Sequence, residues 1–211
     1  VVQAVISDFG GVLTTPIVGA LTGVAERAEV SLPDLGLAMA TVAQALGANP
    51  LYELESGRLS EREFGELVGA ELSRRRGRAV DFAAFGEALF AGLSPNEPML
   101  DYMRRLRERG YRMAICTNNV REWSERWQAL IPAREIFEVI VDSAFVGSRK
   151  PDPQIYELTL TQLGVSPEAA LFVDDLEVNC TAATELGMRA VWFQNTEQAI
   201  ADVEAALGDR A

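Results

Sequence analysis

The stretch Val5-Ile6-Ser7-Asp8-Phe9-Gly10-Gly11-Val12-Leu13-Thr14-Thr15 decides how the rest of the chain is read. An apolar run, Val2 to Ile6, ends on a single carboxylate, and two glycines follow. A buried parallel strand delivers one charged group to its carboxyl end in this way and then turns sharply. In open α/β sheets that edge is where ligands bind. Asp8 is therefore a candidate nucleophile or metal ligand. An aspartate that merely closes a strand-end turn is the plain alternative.

Outward from this strand the chain changes character twice. From Thr14 to about Leu93 there are no strand-like runs, and apolar residues recur at helical spacing. Helices are predicted over Ile17–Ala28, Pro33–Leu46 and Asp81–Ala91, with another opening at the capping box Ser60-Glu61-Arg62-Glu63 and running to about Arg74. Tyr52 to Arg58 is expected to be an exposed loop between helices, with a segment facing the site as the alternative. Residues 15–93 thus form a helical insertion, with linkers near Thr14–Pro16 and Leu93–Pro98. Beyond Pro98 strands and helices alternate regularly. Strands are predicted at Tyr111–Cys116, Val139–Val141, Ala170–Val173 and Arg189–Phe193, and Asp142–Lys150 is expected to be a loop. Helices are expected over Pro98–Arg109 and Val120–Leu130, from Asp152-Pro153 to Gly164, after Asp174-Asp175 through Leu186, and over Thr196–Leu207. Alternation of this kind indicates an α/β fold with a mostly parallel sheet covered on both faces. Trp123 and Trp127, four apart, read as packing residues.

The chain has 211 residues, 48% hydrophobic and 24% charged, with a mean hydropathy of +0.06. That suits one sizeable core, or a core with an appended subdomain. A net charge of −12 and a pI near 4.5 argue against a nucleic-acid or anionic-membrane surface. Arg74-Arg75-Arg76-Gly77-Arg78 reads as the solvated end of a helix. No apolar run has the length of a membrane span, and the amino end does not resemble a signal peptide. Cys116 and Cys180 lack metal-ligand spacing and read as reduced core residues, which points to a cytoplasmic protein. The absence of histidine removes Ser-His-Asp and Cys-His catalysis and imidazole acid–base chemistry together. Chemistry here has to run on carboxylates, lysine, hydroxyls and a hard cation.

Four connections share a pattern. Asp8, Thr117 and Asp174-Asp175 each follow a strand, and Lys150 lies in the loop after another. Parallel strands would gather all four at one sheet edge. A carboxylate nucleophile, a hydroxyl, an ammonium and an acidic pair are the parts of a phosphoryl-transfer site, where the protein's work is positioning and neutralising charge. The acidic pair can hold Mg²⁺, which prefers oxygen ligands. Three converging carboxylates would repel one another, or one would take up a proton, unless a cation sits among them. For the pair alone, capping of the following helix is the competing reading.

Asp8-Phe9-Gly10-Gly11-Val12-Leu13-Thr14, Thr117-Asn118-Asn119, Lys150-Pro151-Asp152-Pro153-Gln154-Ile155-Tyr156 and Phe172-Val173-Asp174-Asp175 with Asn179 resemble the four ordered motifs of the haloacid dehalogenase (HAD) superfamily. The helical insertion resembles the α-helical cap of its first subclass. Asp-Phe-Gly-Gly-Val-Leu and Glu55-Ser56-Gly57-Arg58-Leu59-Ser60 resemble the sugar-1-phosphatase-like members and the phosphatase half of soluble epoxide hydrolases. The resemblance implies a Rossmann-like three-layer core formed by residues 1–14 and 94–211, with a cap over 15–93. It implies that Asp8 attacks phosphorus and forms an aspartyl-phosphate. Thr117, Lys150 and the Asn118-Asn119 segment would bind phosphoryl oxygens, the Asn118 backbone assisting. Mg²⁺ would be held by Asp8, the Gly10 carbonyl and Asp175, with Asp174 acting directly or through water and Asn179 steadying the acidic loop. The substrate would be a small phosphorylated molecule selected by the cap, and the protein a monomer or homodimer.

One departure matters. Phosphatases of this superfamily usually carry a second aspartate two positions after the nucleophile, as general acid and base; here that position is Gly10. Losing such a group costs ~10²–10⁴-fold in rate. The loss should be worst for alkyl phosphates and mildest for phenolic or acyl phosphates. Three readings follow: a Mg²⁺-dependent phosphatase, slowed, in which water or a cap residue substitutes for the missing acid; a non-catalytic phospholigand-binding or regulatory protein; and a 2-haloacid dehalogenase, a branch that lacks the second aspartate but also lacks this acidic pair.

Overall fold

The computed structural model describes residues 1–83 and 85–208. Strand β1 (Ala4–Ser7) is followed by helices α1 (Ile17–Arg27), α2 (Leu32–Leu46), α3 (Pro50–Glu55), α4 (Glu61–Arg76) and α5 (Phe85–Ala91). The chain then alternates: α6 (Glu97–Glu108), β2 (Arg112–Thr117), α7 (Ser124–Leu130), α8 (Ala133–Ile136), β3 (Val139–Asp142), α9 (Ser143–Val146) and α10 (Pro153–Leu163). It ends with β4 (Ala170–Asp174), α11 (Glu177–Glu185), β5 (Arg189–Trp192) and α12 (Thr196–Leu207).

The five strands form one parallel sheet in the order β3-β2-β1-β4-β5. Successive residues of a strand point to opposite faces, and here both faces are apolar. Val5, Met113, Ile115, Leu171 and Val173 pack on one side with α6 and α12. Ala4, Ile6, Ala114, Cys116, Ala170 and Phe172 pack on the other with α10 and α11. Each fully buried Val, Ile, Leu or Phe is worth about 1.5–3 kcal/mol. A one-residue slip of register would exchange the two sets between faces that are packed differently. The register is therefore firmly set, and with it the position of whatever follows each strand. Cys116 and Cys180 are buried free thiols.

Helices α1, α2, α4 and α5 bury a second apolar cluster, which Val120 and Trp123 enter from the sheet side. Ser60 and Glu63 close the expected capping box at the start of α4. The two linkers pair with each other: Thr14 bridges Pro95, and the Thr15 N–H donates to the Ser94 carbonyl at 2.8 Å. Among the described residues no helix is long and apolar enough to cross a membrane.

Four segments differ from the sequence reading. The expected loop at Tyr52–Arg58 begins inside helix α3, which Asn49 caps and Pro50 opens. The expected loop at Asp142–Lys150 contains α9, capped by Asp142. Val120–Leu130 is not one helix: a 3₁₀ turn at Arg121–Trp123 precedes α7. It sends Trp123 to the helical insertion and Trp127 to the sheet core, where Trp127 lies 4.9 Å from Phe9. The helix expected from Asp81 starts at Phe85, and Ala84 lies outside the described residues.

Candidate active site

The chain lays down β1, β2 and β3 outward on one side of the sheet, then crosses back to place β4 and β5 on the other. The reversal opens a crevice at the carboxyl ends of β1 and β4, the place where open α/β sheets bind ligands. The Asp8 N–H donates to the Val173 carbonyl at 2.8 Å, which sets Asp8 beside Asp174. Lys150 enters from the loop after α9. Its ammonium is 2.8 Å from Asp8 Oδ1 and 2.5 Å from Asp174 Oδ2, and the residue is 1% exposed. One carboxylate oxygen from each of Asp8, Asp174 and Asp175 lies within 4.8 Å of the others.

The two members of the acidic pair are differently placed. Asp174 is fully buried, and both its oxygens are engaged by protein. Oδ2 receives Lys150, while Oδ1 accepts from Asn179 Nδ2 at 2.9 Å and from the Leu176 N–H at 2.8 Å. The capping alternative does not hold: the N-cap of α11 is Leu176, without a side-chain cap, and Asp174 closes the turn before it. Asn179 is fixed in turn by the Tyr156 hydroxyl, which donates to its carbonyl at 3.0 Å. Asp175 reaches across the crevice to Gly11. A Cβ on Gly11 would stand 2.3 Å from Asp175 Oδ2, and the φ of +80° is one that glycine adopts without strain. Gly10, in the same turn, needs no such φ.

Thr117 ends β2, is buried, and faces the same edge. Asn118 uses its side chain on Lys150: Oδ1 accepts the Lys150 N–H at 2.8 Å and Nδ2 donates to the Lys150 carbonyl at 3.0 Å. Its backbone is what remains for a ligand. Asn119 is brought to the edge but turned back, its Oδ1 accepting from the Val120 N–H at 2.9 Å. On Asp8, the Phe9 N–H and Lys150 both fall on Oδ1, leaving Oδ2 for chemistry.

One ammonium does not balance two buried carboxylates and a third, half-buried one. Burial, reinforced by Asp174 and Asp175, pushes Asp8 up to about 8 although Lys150 pulls the other way. Burial and then Asp174 lift Asp175 to about 6. Burial works against the charge of Lys150, but Asp174 and Asp8 outweigh it and hold the ammonium well above the ordinary lysine range.

Sequence reading missed a second layer of contacts. Arg149 Nε donates to Glu55 Oε2 at 2.7 Å, with both side chains 16% exposed. The Arg149 guanidinium lies 3.8 Å from the centre of the Tyr52 ring. Ser143 Oγ donates to the Glu55 carbonyl and accepts the Asn119 N–H at 3.0 Å. The end of α3 therefore touches the loops that carry Asn119 and Lys150. Glu55 is raised above the usual carboxylate range by burial, opposed by Arg149 and Lys150. The run Glu55-Ser56-Gly57-Arg58 was the available signal.

A model of the haloacid dehalogenase-like hydrolases matches residues 2–187. The chain is 29% identical over 209 residues to acyl-CoA dehydrogenase family member 10 of Mus musculus, covering 98% of this chain and 19% of that protein. It is 29% identical over 195 residues to the sesquiterpene phosphatase astK of Aspergillus oryzae, covering 88% of this chain and 87% of that one. It spans no more than 38% of the length of the mammalian bifunctional epoxide hydrolases 2 that it also matches. HAD family enzyme bt-2542 of Bacteroides thetaiotaomicron, solved with magnesium and inorganic phosphate, shares the fold at a TM-score of 0.68 and 21% identity, over 90% of this chain and 93% of that one. With four of the five strands inside the matched span, the chain belongs to the haloacid dehalogenase-like hydrolase family.

Proposed function

We propose that this chain is a Mg²⁺-dependent phosphatase that moves the phosphoryl group of a small phosphomonoester to Asp8 and then to water. The observation that carries the reading is the convergence of Asp8, Lys150 and the Asp174–Asp175 pair on one crevice. The donor set fits a hard divalent cation: all its ligand atoms are oxygens, and burial, reinforced by the neighbouring carboxylates, has lifted Asp8 and Asp175. Asp8, Asp175 and the Gly10 carbonyl would hold Mg²⁺, with Asp174 beside them. Bound there, the ion supplies the positive charge that phosphoryl oxygens need. The sesquiterpene phosphatase and the magnesium–phosphate complex of bt-2542 support this assignment.

Each residue then has a task. Asp8 Oδ2 attacks phosphorus. Lys150, kept charged by two carboxylates, holds a phosphoryl oxygen and keeps Asp8 oriented, and the Thr117 hydroxyl and Asn118 N–H take further oxygens. Asn179 and the Leu176 N–H fix Asp174, so that Lys150 has one position. Residues 15–93 act as the cap over the core formed by 1–14 and 94–211, touching the site through Glu55 and Tyr52. Buried free thiols suit a reducing, cytoplasmic setting. A metal-free dehalogenase has no use for three carboxylates gathered within 4.8 Å.

The test is hydrolysis of p-nitrophenyl phosphate with Mg²⁺, with chelator, and in Asp8→Asn. Turnover that needs the metal and vanishes in the variant is expected. Undiminished turnover in excess chelator overturns the reading, and so does halide release from 2-chloropropionate without metal.

A further inference from the structure

We infer that Glu55 and Arg149 are positioning residues: their ion pair fixes the backbone from which Lys150 reaches the reacting atoms. The task given to Lys150 rests on the phosphatase reading above. The carrying observation is where the pair stands. Among the described residues, Arg149–Glu55 is the one ion pair that joins residues 15–93 to the remainder of the chain. It lies one residue before Lys150.

Lys150 needs such support. Its ammonium, 2.8 Å from Asp8 Oδ1 and 2.5 Å from Asp174 Oδ2, sits at the end of a flexible stem. Any shift of the Lys150 Cα is passed along that stem to the ammonium. Residues 148–150 belong to no helix or strand, and the Ser148 hydroxyl, buried without a hydrogen-bond partner, adds no polar anchor. Two side chains supply the anchors. Asn118 clamps the N–H and the carbonyl of Lys150. Arg149 secures the other side, with Nε 2.7 Å from Glu55 Oε2 and the guanidinium 3.8 Å from the centre of the Tyr52 ring. Both members of the pair are 16% exposed, so salt and water screen it little.

The two anchors share a support. The Glu55 carbonyl accepts from Ser143 Oγ, which in turn accepts the N–H of Asn119, next to Asn118. Glu55 therefore reaches Lys150 by two routes, through Arg149 and through Ser143, Asn119 and Asn118. Backbone lies directly on backbone here: a Cβ on Gly57 would stand 2.5 Å from the Ala144 carbonyl. A direct grip on a second anionic group of the substrate fits less well, because Glu55 already cancels the charge that Arg149 would offer.

The test measures kcat and KM for p-nitrophenyl phosphate with Mg²⁺ in Glu55→Gln, Arg149→Gln, their double variant and Arg149→Lys, and amide exchange at Asn119 and Lys150. In both single Gln variants kcat and kcat/KM should fall together by ~10–10²-fold, the upper figure being the cost of a displacement of about 1 Å, while KM holds. The double variant should lose no more than the worse single one, since the two act as a unit. Arg149→Lys should keep part of the rate. In Glu55→Gln both amides should exchange at least ~10-fold faster, as loss of a hydrogen bond between charged groups allows, with β1 still protected. A pair that merely fastens the insertion would quicken residues 50–57 alone and leave Asn119, Lys150 and kcat as they were, which overturns the inference. A raised KM at constant kcat overturns it too, by making Arg149 a substrate contact. If the unmodified protein turns over nothing, the phosphatase reading has failed by itself, and the two amides alone decide whether Glu55 positions Lys150.

Discussion

Asp8→Asn keeps the shape of the side chain and removes its charge, so it separates what the site needs for chemistry from what the fold would prefer. Burial moves the carboxyl from 3.8 to about 8. Between those values the unfolded chain gives up the proton and the folded protein keeps it. Stability of the metal-free protein therefore falls as pH rises through that window and levels off above about 8. At about 1.36 kcal/mol for each pH unit, the penalty is about 4 kcal/mol by pH 7. That figure already contains the pull of Lys150 Nζ, 2.8 Å from Oδ1, so the contact is not subtracted a second time. Asp8→Asn should therefore be up to about 4 kcal/mol more stable than the unmodified protein in chelator at pH 7. In a chain of this size that raises Tm by up to roughly 8–16 °C. Mg²⁺ should reverse the order, because only the unmodified protein presents all three carboxylates. Circular dichroism melts near pH 5 and pH 7.5, with chelator and with Mg²⁺, measure both effects, and the gap in chelator should shrink at the lower pH. A variant less stable than its parent in chelator at pH 7.5 would mean that the Lys150 charge outweighs burial, and the electrostatic case for a cation here would collapse.

Mg²⁺ has to displace protons that Asp8 and Asp175 hold up to about 8 and about 6. Its apparent affinity should therefore climb across that range, by up to about tenfold per pH unit for each proton released; calorimetry in buffers of different ionisation enthalpy counts the protons. Gly11→Ala forces a Cβ to within 2.3 Å of Asp175 Oδ2 at a φ of +80°. It should cost about 1–3 kcal/mol of stability and weaken Mg²⁺ binding, as denaturant melts and metal titration would register. Arg149→Ala leaves Glu55 buried without its partner, at about 1–3 kcal/mol, and amide exchange in residues 50–57 should quicken while β1 stays protected.

What could be read in the chain was what is local. Val5-Ile6 before Asp8, and Leu171-Phe172-Val173 before Asp174, carry strand and strand-end within a few residues, and parallel pairing then places the ends together. Ser60 and Glu63 announce α4 within one turn. Contacts between distant segments were not legible. Helix α3 is six residues long, too short for a helical period to show. The role of Glu55 depends on Arg149, 94 positions away, and the clamp of Asn118 on Lys150 spans 32 positions. The break between Arg121–Trp123 and α7 arises because two tryptophans four apart belong to different cores. Ile17 looked like any first apolar residue of a helix until the backbone brought it against Gly10.

The bridge between Thr14 and Pro95 brings the two chain ends of the helical insertion to one point. Because its two ends meet, residues 16–93 could be excised and the gap sealed by a short turn without moving a strand. The scar would take in Trp123, which would lose the aromatic neighbours Phe85 and Phe90, Val120 beside it, and Arg149, which would lose Glu55.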